Sequence, residues 1–283
     1  MSDKANFNNP DHLKTDQYKT SSKLSARIRL HQDYSTSDES PISGTFDLML
    51  EYVPENAKIL ELGTGRGDLW KENAHRIPDA WNMTLTDLSA GMIDDQKAYL
   101  GDLSNRMRYK VVNAVDIPFE DNSFDVVVAN YMLYHVPDRA KAIAEIRRVL
   151  KPGGVLFAAT NGENHMTRIF DIAKDIDEVV GERSFVAWTF SLQNGTGQLM
   201  KEFTDIRMIR FNNNLWIPEA QPIIDYIASM VSFDGEALVR QNETRIKDNL
   251  NRHIADKGGI LIEKETGIFI ARGVYAKEAH SKH

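Results

Sequence analysis

The stretch KILELGTGRGDLW, residues 58–70, joins a short apolar run to a loop with glycine at every second position. KILEL has the length and composition of a buried β-strand, and the residues after Gly67 have helical spacing to about residue 75. Gly63, Gly65 and Gly67 allow a tight turn and close approach of a ligand, and amides at a helix N-terminus favour a negatively polarised group. The stretch predicts a strand, a ligand-binding loop and a helix, although a plain glycine turn would have the same pattern.

Strand and helix patterns continue to alternate beyond this loop. Strands are expected at residues 82–87, 108–114, 124–130 and 155–160, with helices at 44–53, 89–103 and 138–150 and a KPGG turn before the fifth strand. This alternation predicts an open, mostly parallel sheet with helices on both faces. Ligands of such sheets bind beyond the carboxyl ends of the strands, where the strand order reverses.

Composition narrows the possible functions. The 283 residues are 42% hydrophobic and include no cysteine, which excludes disulfides, thiolate nucleophiles and cysteine-ligated metals. The formal charge of −7 argues against a phosphate-tracking surface, so no nucleic-acid partner is expected. No run approaches the roughly 18 apolar residues of a membrane span, and the polar start is unlike a secretory signal. We therefore expect a cytoplasmic protein that does not enter a membrane, and we find no pattern typical of a metal site.

A carboxylate follows the second predicted strand. Asp87 lies about 24 residues after Gly63, the separation at which an acid takes the two ribose hydroxyls in nucleotide-binding folds. Taken alone, Asp87 is equally compatible with capping the helix that starts near Ser89. The combination of loop and acid favours a nucleoside-containing ligand.

Four ordered motifs between residues 45 and 162 resemble the class I S-adenosylmethionine-dependent methyltransferases, in particular their type 11, small-molecule branch. They are ILELGTGRG, TLTDLSAGMI, NAVDIPFEDNSFDVVVANYMLYHV and RAKAIAEIRRVLKPGG. The resemblance implies a doubly wound, mostly parallel seven-stranded sheet closed by an antiparallel hairpin, with helical lid insertions. It also implies S-adenosyl-L-methionine as cofactor and S-adenosyl-L-homocysteine as product.

The resemblance assigns cofactor contacts position by position. It gives the methionine end to Glu61, Gly63, Thr64, Gly65 and Gly67, the ribose to Asp87, the adenine face to Leu88 and Met92, and the adenine edge to Asn113, Ala114 and Val115. Further contacts are expected from Asn130, Tyr131 and, in an N-terminal arm folded over the cofactor, Arg29. The family often has an acid where this chain has Asn113, so we expect an altered hydrogen bond to adenine there.

Methyl transfer needs an acceptor atom held in line with the sulfonium methyl group and protected from water. If the acceptor must lose a proton, His135 is the candidate base, with Tyr134 and the arm residue Tyr34 as candidate acceptor contacts. The alternative is that His135 only packs beside the cofactor. NYML lacks the prolines of the [DN]PP[YFW] motif, which disfavours methylation of nucleic-acid bases.

These patterns predict six segments. They are an arm over the active site (1–43), the cofactor-binding core (44–162), a first lid insertion (163–193), the continued core (194–213), a second lid insertion (214–260) and a closing strand with tail (261–283). We expect transfer to an O, N or C atom of a small-molecule acceptor. Two alternatives stay open, a nicotinamide-dependent oxidoreductase and a non-catalytic S-adenosylmethionine-binding protein, and the sequence does not indicate an oligomeric state.

Overall fold

Seven strands form the central sheet of the computed structural model, which describes residues 29–175, 188–230 and 233–273. They are β1 (Lys58–Leu62), β2 (Asn82–Asp87), β3 (Met107–Val111), β4 (Phe124–Val128), β5 (Leu150–Asn161), β6 (Asp205–Phe211) and β9 (Thr266–Arg272). Their order is β3-β2-β1-β4-β5-β9-β6. The first five strands pair in parallel, which confirms the predicted doubly wound sheet.

The closing pair of strands, β9 and β6, runs antiparallel. At the start of β6, Thr204 N donates to Arg272 O at the end of β9, with an N···O distance of 3.1 Å. At the opposite ends, a Cβ built on Gly267 would lie 2.5 Å from Ile209 O. This arrangement confirms the antiparallel closure of the sheet, although about 55 residues separate the two strands rather than a hairpin turn.

Helices flank the sheet and bury its two faces. They are α1 (Pro41–Tyr52), α2 (Asp68–Glu72), α3 (Ala90–Leu100), α4 (Arg139–Val149) and α6 (Gly195–Leu199). Successive strand residues point to opposite faces, and two apolar clusters follow that alternation, one with Leu60 and Phe269 and the other with Ile59 and Phe157. The sheet is thus covered on both faces, as its near-continuous apolar strands require.

Two expected boundaries differ from the structure. The KPGG segment lies inside β5, where the pairing register with β4 shifts between Phe124 and Val126. The run from residue 261 to residue 273 is not one strand, because β8 (Ile260–Ile262) pairs with β7 (Leu215–Ile217) in a separate two-stranded sheet before β9 begins. Local pattern cannot distinguish these cases, since both depend on which distant strand is the partner.

The described residues form two compact units. The sheet unit comprises residues 41–162, 188–211 and 267–273, and the helical unit comprises residues 29–40, 163–175, 212–230 and 233–266. Besides β7 and β8, the helical unit contains α5 (Thr167–Lys174), α7 (Gln221–Met230), α8 (Phe233–Gln241) and α9 (Glu243–Lys257). It has its own apolar cluster, which includes Leu30, Ile169, Ile224 and Ile246.

The predicted lid insertions contribute most of the helical unit, and their action as a lid stays a prediction. The arm before residue 29 and the part of the first insertion between residues 176 and 187 lie outside the described residues. Within the described ranges, no helix is long and apolar enough to cross a bilayer.

Candidate functional site

The glycine loop after β1 adopts the backbone conformation that its composition suggests. Gly63, Gly65 and Gly67 have φ angles of 63°, 56° and 84°, in the left-handed region that other residues rarely adopt. A Cβ on Gly63 would lie 2.8 Å from Met132 Cβ, whereas a Cβ on Gly65 would meet no atom within 4 Å. Gly63 therefore lets the loop pack against the chain that follows β4, and Gly65 borders open space.

A buried hydrogen-bond network supports this loop from β1. Glu61, which is 3% exposed, accepts at Oε2 from Thr64 Oγ1 at 2.7 Å and from Trp70 Nε1 at 2.5 Å. Gln96 Nε2 donates in turn to Thr64 Oγ1 at 2.7 Å. Burial raises the pKa of Glu61 to about 7, and the two donors only partly offset this effect. Glu61 Oε1 accepts no hydrogen bond from any described residue.

Trp70 and Gln96 are site residues that the sequence analysis missed. Trp70 lies inside the stretch that decides the fold, and an indole N–H is a donor that needs an acceptor when buried. A buried indole N–H that needs an acceptor, close in sequence to Glu61, could therefore have indicated that Trp70 donates to this acid. Gln96 carried no such signal, because its partner Thr64 is distant in the sequence.

Asp87 links the loop to the next strand. Its Oδ2 accepts from Gly65 N at 3.3 Å and its Oδ1 from Ser89 N at 3.0 Å. Ser89 itself caps α3, because its side chain accepts from Met92 N, so Asp87 is not the helix cap. Burial is the largest influence on the Asp87 carboxyl and raises its pKa despite the backbone donors. The carboxylate is fixed in orientation beside Gly65.

The residues expected around adenine follow β2 and β3, which end side by side, with Asp87 paired to Val111. Leu88 and Met92 are half-buried. Ala114 is buried and Val115 half-buried, while Asn113 is exposed and its Oδ1 accepts from Val115 N at 3.2 Å. The amide side chain of Asn113 therefore stabilises its own loop. It stands at the position where the resembled family often has an acid.

The segment after β4 contains the candidate base. Asn130 Oδ1 accepts from Ala159 N at 3.2 Å. Tyr131 has a left-handed φ of 53°, and burial raises the pKa of its phenol. The rings of Tyr134 and His135 lie with centroids 4.5 Å apart. These contacts hold the segment in a defined shape.

His135 has an unusual environment within this segment. Its Nδ1 is inaccessible to solvent and has no hydrogen-bond partner among the described residues. Burial lowers the pKa of the imidazole to about 4. The side chain is therefore neutral at physiological pH and has a free ring nitrogen.

The two site residues predicted in the N-terminal arm belong to the helical unit. The Tyr34 hydroxyl donates to Glu219, and this hydrogen bond is the main reason that the pKa of Tyr34 rises to about 12. Arg29 is exposed in a helical turn at residues 29–33. Their assignment to the cofactor stays a prediction.

The remaining predicted site residues share one edge of the sheet. They lie at or just after the carboxyl ends of β1, β2, β3 and β4, and β1 and β4 are the neighbours at which the strand order reverses. Within the part of the chain that the structure describes, no group of three His, Asp or Glu residues is placed to hold a metal ion. The edge offers a glycine loop in the left-handed conformation, two carboxyls with raised pKa values and a neutral imidazole.

Known proteins have sequences similar to this region of the chain. A family model described as a methyltransferase domain matches residues 60–158. The ubiquinone/menaquinone biosynthesis C-methyltransferase UbiE of Geotalea daltonii is 37% identical over 107 residues, which cover 37% of this chain and 45% of that protein. The same enzyme of Shewanella frigidimarina is 33% identical over 120 residues, or 41% of this chain and 48% of that protein. The chain thus spans less than half the length of these curated relatives.

Solved structures share the fold over more of the chain. The YcgJ protein of Bacillus subtilis aligns with a TM-score of 0.56 at 16% identity, covering 82% of this chain and 99% of that one. Phosphoethanolamine N-methyltransferase 2 of Haemonchus contortus, solved with S-adenosyl-L-methionine, aligns with a TM-score of 0.56 at 18% identity, covering 94% of this chain and 60% of that one. The resemblance predicted from the motifs is confirmed for residues 60–158, which match a methyltransferase domain.

Proposed function

We propose that this chain transfers a methyl group from S-adenosylmethionine to an O, N or C atom of a small-molecule acceptor by direct in-line displacement. The observation that carries the proposal is the glycine loop, held between Glu61 and Asp87 in a methyltransferase domain. The relatives that match this domain are named as C-methyltransferases. No match supports the nicotinamide-dependent oxidoreductase.

The residues present fit this cofactor. Gly65 borders open space in a conformation that leaves its backbone approachable, and Glu61 Oε1 is free to accept from an ammonium group. Asp87 is oriented by the loop and by Ser89, as a carboxylate that binds two ribose hydroxyls must be. Leu88, Met92 and residues 113–115 would contact the adenine ring from the ends of β2 and β3.

The cofactor, when bound, supplies an activated methyl group on a sulfonium centre. The chain must then hold the acceptor atom in line with that group and keep water out. His135, neutral and with an unpartnered Nδ1, would accept a proton from an acceptor that must lose one. The packing alternative assigns His135 no proton transfer.

Calorimetric titration of the ligand-free protein tests the cofactor, with S-adenosyl-L-homocysteine and NADH titrated in parallel. We expect saturable binding of the former alone. The Asp87→Ala variant should weaken it by about 1–3 kcal/mol, because two ribose hydroxyls lose their acceptor. Asp95→Ala, a change on an exposed position of α3, is the matched control. NADH binding, or equal affinity in both variants, would reject the assignment.

Measurement of the turnover rate distinguishes whether His135 is a general base or only a packing residue. If it is the base, His135→Gln should leave S-adenosylhomocysteine affinity unchanged and lower kcat by about 10²-fold or more. The acidic limb of the pH profile, with an apparent pKa near 4 in the unmodified protein, should disappear. An unchanged kcat would favour packing alone, and a bound cofactor without any methylated product from metabolite extracts would favour the non-catalytic alternative.

The acceptor is proposed as a small molecule and not a nucleic acid, since the chain lacks the [DN]PP[YFW] motif and has a formal charge of −7. Carbon is the acceptor atom that the names of the curated relatives favour. A cytoplasmic location stays a prediction.

A further inference from the structure

The candidate base His135 lies in a short 3₁₀ turn, residues 133–135, that follows β4. Two backbone hydrogen bonds close the turn, from His135 N to Met132 O at 2.9 Å and from Val136 N to Leu133 O at 3.2 Å. Hydrogen-bond geometry in 3₁₀ turns is poorer than in an α-helix. An imidazole on such a turn therefore needs support from other elements to keep one orientation.

Side chains from two other elements bind the backbone on either side of His135. Thr189 Oγ1 donates to the carbonyl oxygen of Tyr134 at 2.9 Å. Arg139 Nη1, at the start of α4, donates to the carbonyl oxygen of Val136 at 2.8 Å. The residues before and after His135 are thus both anchored, while its own Nδ1 makes no hydrogen bond with the described residues.

Gln198, on α6, joins the two anchoring side chains. Its Nε2 donates to Thr189 O at 2.9 Å, and its Oε1 accepts from Arg139 Nε at 3.4 Å. Gln198 Nε2 also donates to Asn194 Oδ1 at 2.8 Å, and Asn194 Nδ2 donates to Trp188 O at 2.6 Å. Thr189, Gln198 and Arg139 therefore form one connected set, which we call the clamp.

The clamp and His135 belong to the same compact unit, the sheet unit. All three side chains of the clamp are half-buried. Removal of a donor at such a position leaves a carbonyl oxygen without its partner, which costs more than the loss of an exposed hydrogen bond. The clamp therefore restricts the turn more strongly than hydrogen bonds at the surface would.

We propose that Thr189, Arg139 and Gln198 are positioning residues that fix the His135 imidazole for proton transfer. This inference rests on the proposed function, in which His135 Nδ1 takes the proton that leaves the acceptor atom and the electron pair stays on that atom. A base must lie within about 2.6–3.2 Å of the atom that gives up its proton. A displacement of about 1 Å can cost on the order of 100-fold in rate, so a base on a turn needs a rigid support.

NMR of the His135 imidazole in the ligand-free full chain tests the clamp, with two substitutions that change no charge. Thr189→Val removes the hydroxyl that binds Tyr134 O, and Gln198→Met removes the link between Thr189 and Arg139. Burial lowers the pKa of His135 from 6.5 to about 4, and a turn released from the clamp would let water reach the ring. We expect this pKa to rise by about one unit or more in both variants. Thr189→Ser, which restores the hydroxyl, should return it to the value of the unmodified protein.

The matched control is Ser123→Ala. Ser123 Oγ donates to the backbone carbonyl of Glu120 just before β4, at the opposite end of that strand from His135, so its removal should leave the His135 pKa unchanged. An unmoved pKa in both Thr189→Val and Gln198→Met would overturn the proposal. An equal rise in Ser123→Ala, or no recovery in Thr189→Ser, would also overturn it.

Cofactor binding and methyl transfer separate this inference from the proposed function. Thr189→Val should bind S-adenosyl-L-homocysteine in calorimetry as tightly as the unmodified protein. Its methyl transfer from S-adenosylmethionine to a metabolite extract should fall about tenfold or more. A raised His135 pKa with undiminished methyl transfer would mean that the clamp holds the turn without positioning a base, which overturns the inference. If the unmodified protein does not bind S-adenosyl-L-homocysteine, the proposed function is rejected, and the His135 pKa still decides whether the clamp holds the ring.

Discussion

In the sheet unit, the buried carboxylate of Glu61 accepts hydrogen bonds from Thr64 and Trp70, whereas in the helical unit the buried Nδ1 of His31 has no partner among the described residues. Native folds satisfy most buried polar groups internally. The network around Glu61 accordingly builds a rigid loop before any ligand arrives. Buried side-chain atoms without a hydrogen-bond partner among the described residues occur in both units, namely His31 Nδ1 in the helical unit and Arg66 Nε, Gln96 Oε1 and His135 Nδ1 in the sheet unit.

The largest expected effect concerns the glycine loop of the sheet unit, where the addition of one methyl group should destabilise the fold. Gly63→Ala should destabilise the protein by about 4 kcal/mol, because the left-handed φ costs roughly 1–2 kcal/mol and the contact with Met132 adds overpacking. The ideal Cβ would lie 2.8 Å from Met132 Cβ, an atom that cannot move without its backbone. Urea unfolding followed by circular dichroism measures this loss.

Gly65→Ala is the matched variant, since Gly65 has a similar left-handed φ but open space around it. It should cost only about 1 kcal/mol of stability, while weakening S-adenosylhomocysteine binding. If both variants lose the same stability, the loop is not held by packing against the segment after β4. The division between a structural and a ligand-facing glycine would then be wrong.

The second effect is a pH dependence. Burial raises the pKa of Glu61 from its ordinary 4.5 to about 7 in the folded protein, so the native state binds the proton more tightly than the unfolded chain. This contribution to stability is fully present below about pH 4.5 and is lost as the pH rises through about 7. In Glu61→Gln the contribution is absent. The free-energy difference between the variant and the unmodified protein should therefore change by about 3 kcal/mol between pH 5 and pH 8.

Unfolding free energies at several pH values across this range measure the effect. Glu51→Gln, on an exposed position of α1, should give a curve parallel to that of the unmodified protein. Parallel curves for Glu61→Gln as well would mean that water reaches Glu61.

The difference between the sheet unit and the helical unit also explains how much of the structure could be predicted from sequence. The parallel sheet and its glycine loop could be predicted from periodicity and from motifs in which glycine permits a tight turn. Asp87 was predicted from its position after the second strand, about 24 residues beyond Gly63. Asn130 and His135 could likewise be assigned to the end of β4, while the choice between base and packing depends on burial, which one sequence does not give.

Helical insertions were predicted for this part of the chain, but the contacts within the helical unit were not, for a physical reason. Two of its segments, Leu215–Ile217 and Ile260–Ile262, are too short to be identified as strands by pattern. They are strands only because they pair with each other. Tyr34 was expected to contact ligand, but nothing in its local sequence indicates its hydrogen bond to Glu219, 185 residues away. Lys264, between β8 and β9, is half-buried in the fold, and its local sequence does not indicate that burial.

The smallest expected effect tests the cost of burying the Lys264 ammonium group. Burial lowers the pKa of Lys264 from its ordinary 10.5 to about 8, so the native state binds this proton less tightly than the unfolded chain. The resulting penalty is fully present below about pH 8 and disappears as the pH rises towards 10.5. Lys264→Met keeps the length of the side chain and removes the charge. At pH 7 it should stabilise the protein by about 1 kcal/mol, after part of the penalty is discounted for solvent screening.

Thermal unfolding distinguishes this penalty from an ordinary surface effect. Lys264→Met should unfold at a higher temperature than the unmodified protein at pH 7, while Lys174→Met, which removes the charge of an exposed lysine at the end of α5, should not differ from it. If Lys264→Met instead unfolds at a lower temperature, burial of the Lys264 charge does not destabilise the fold.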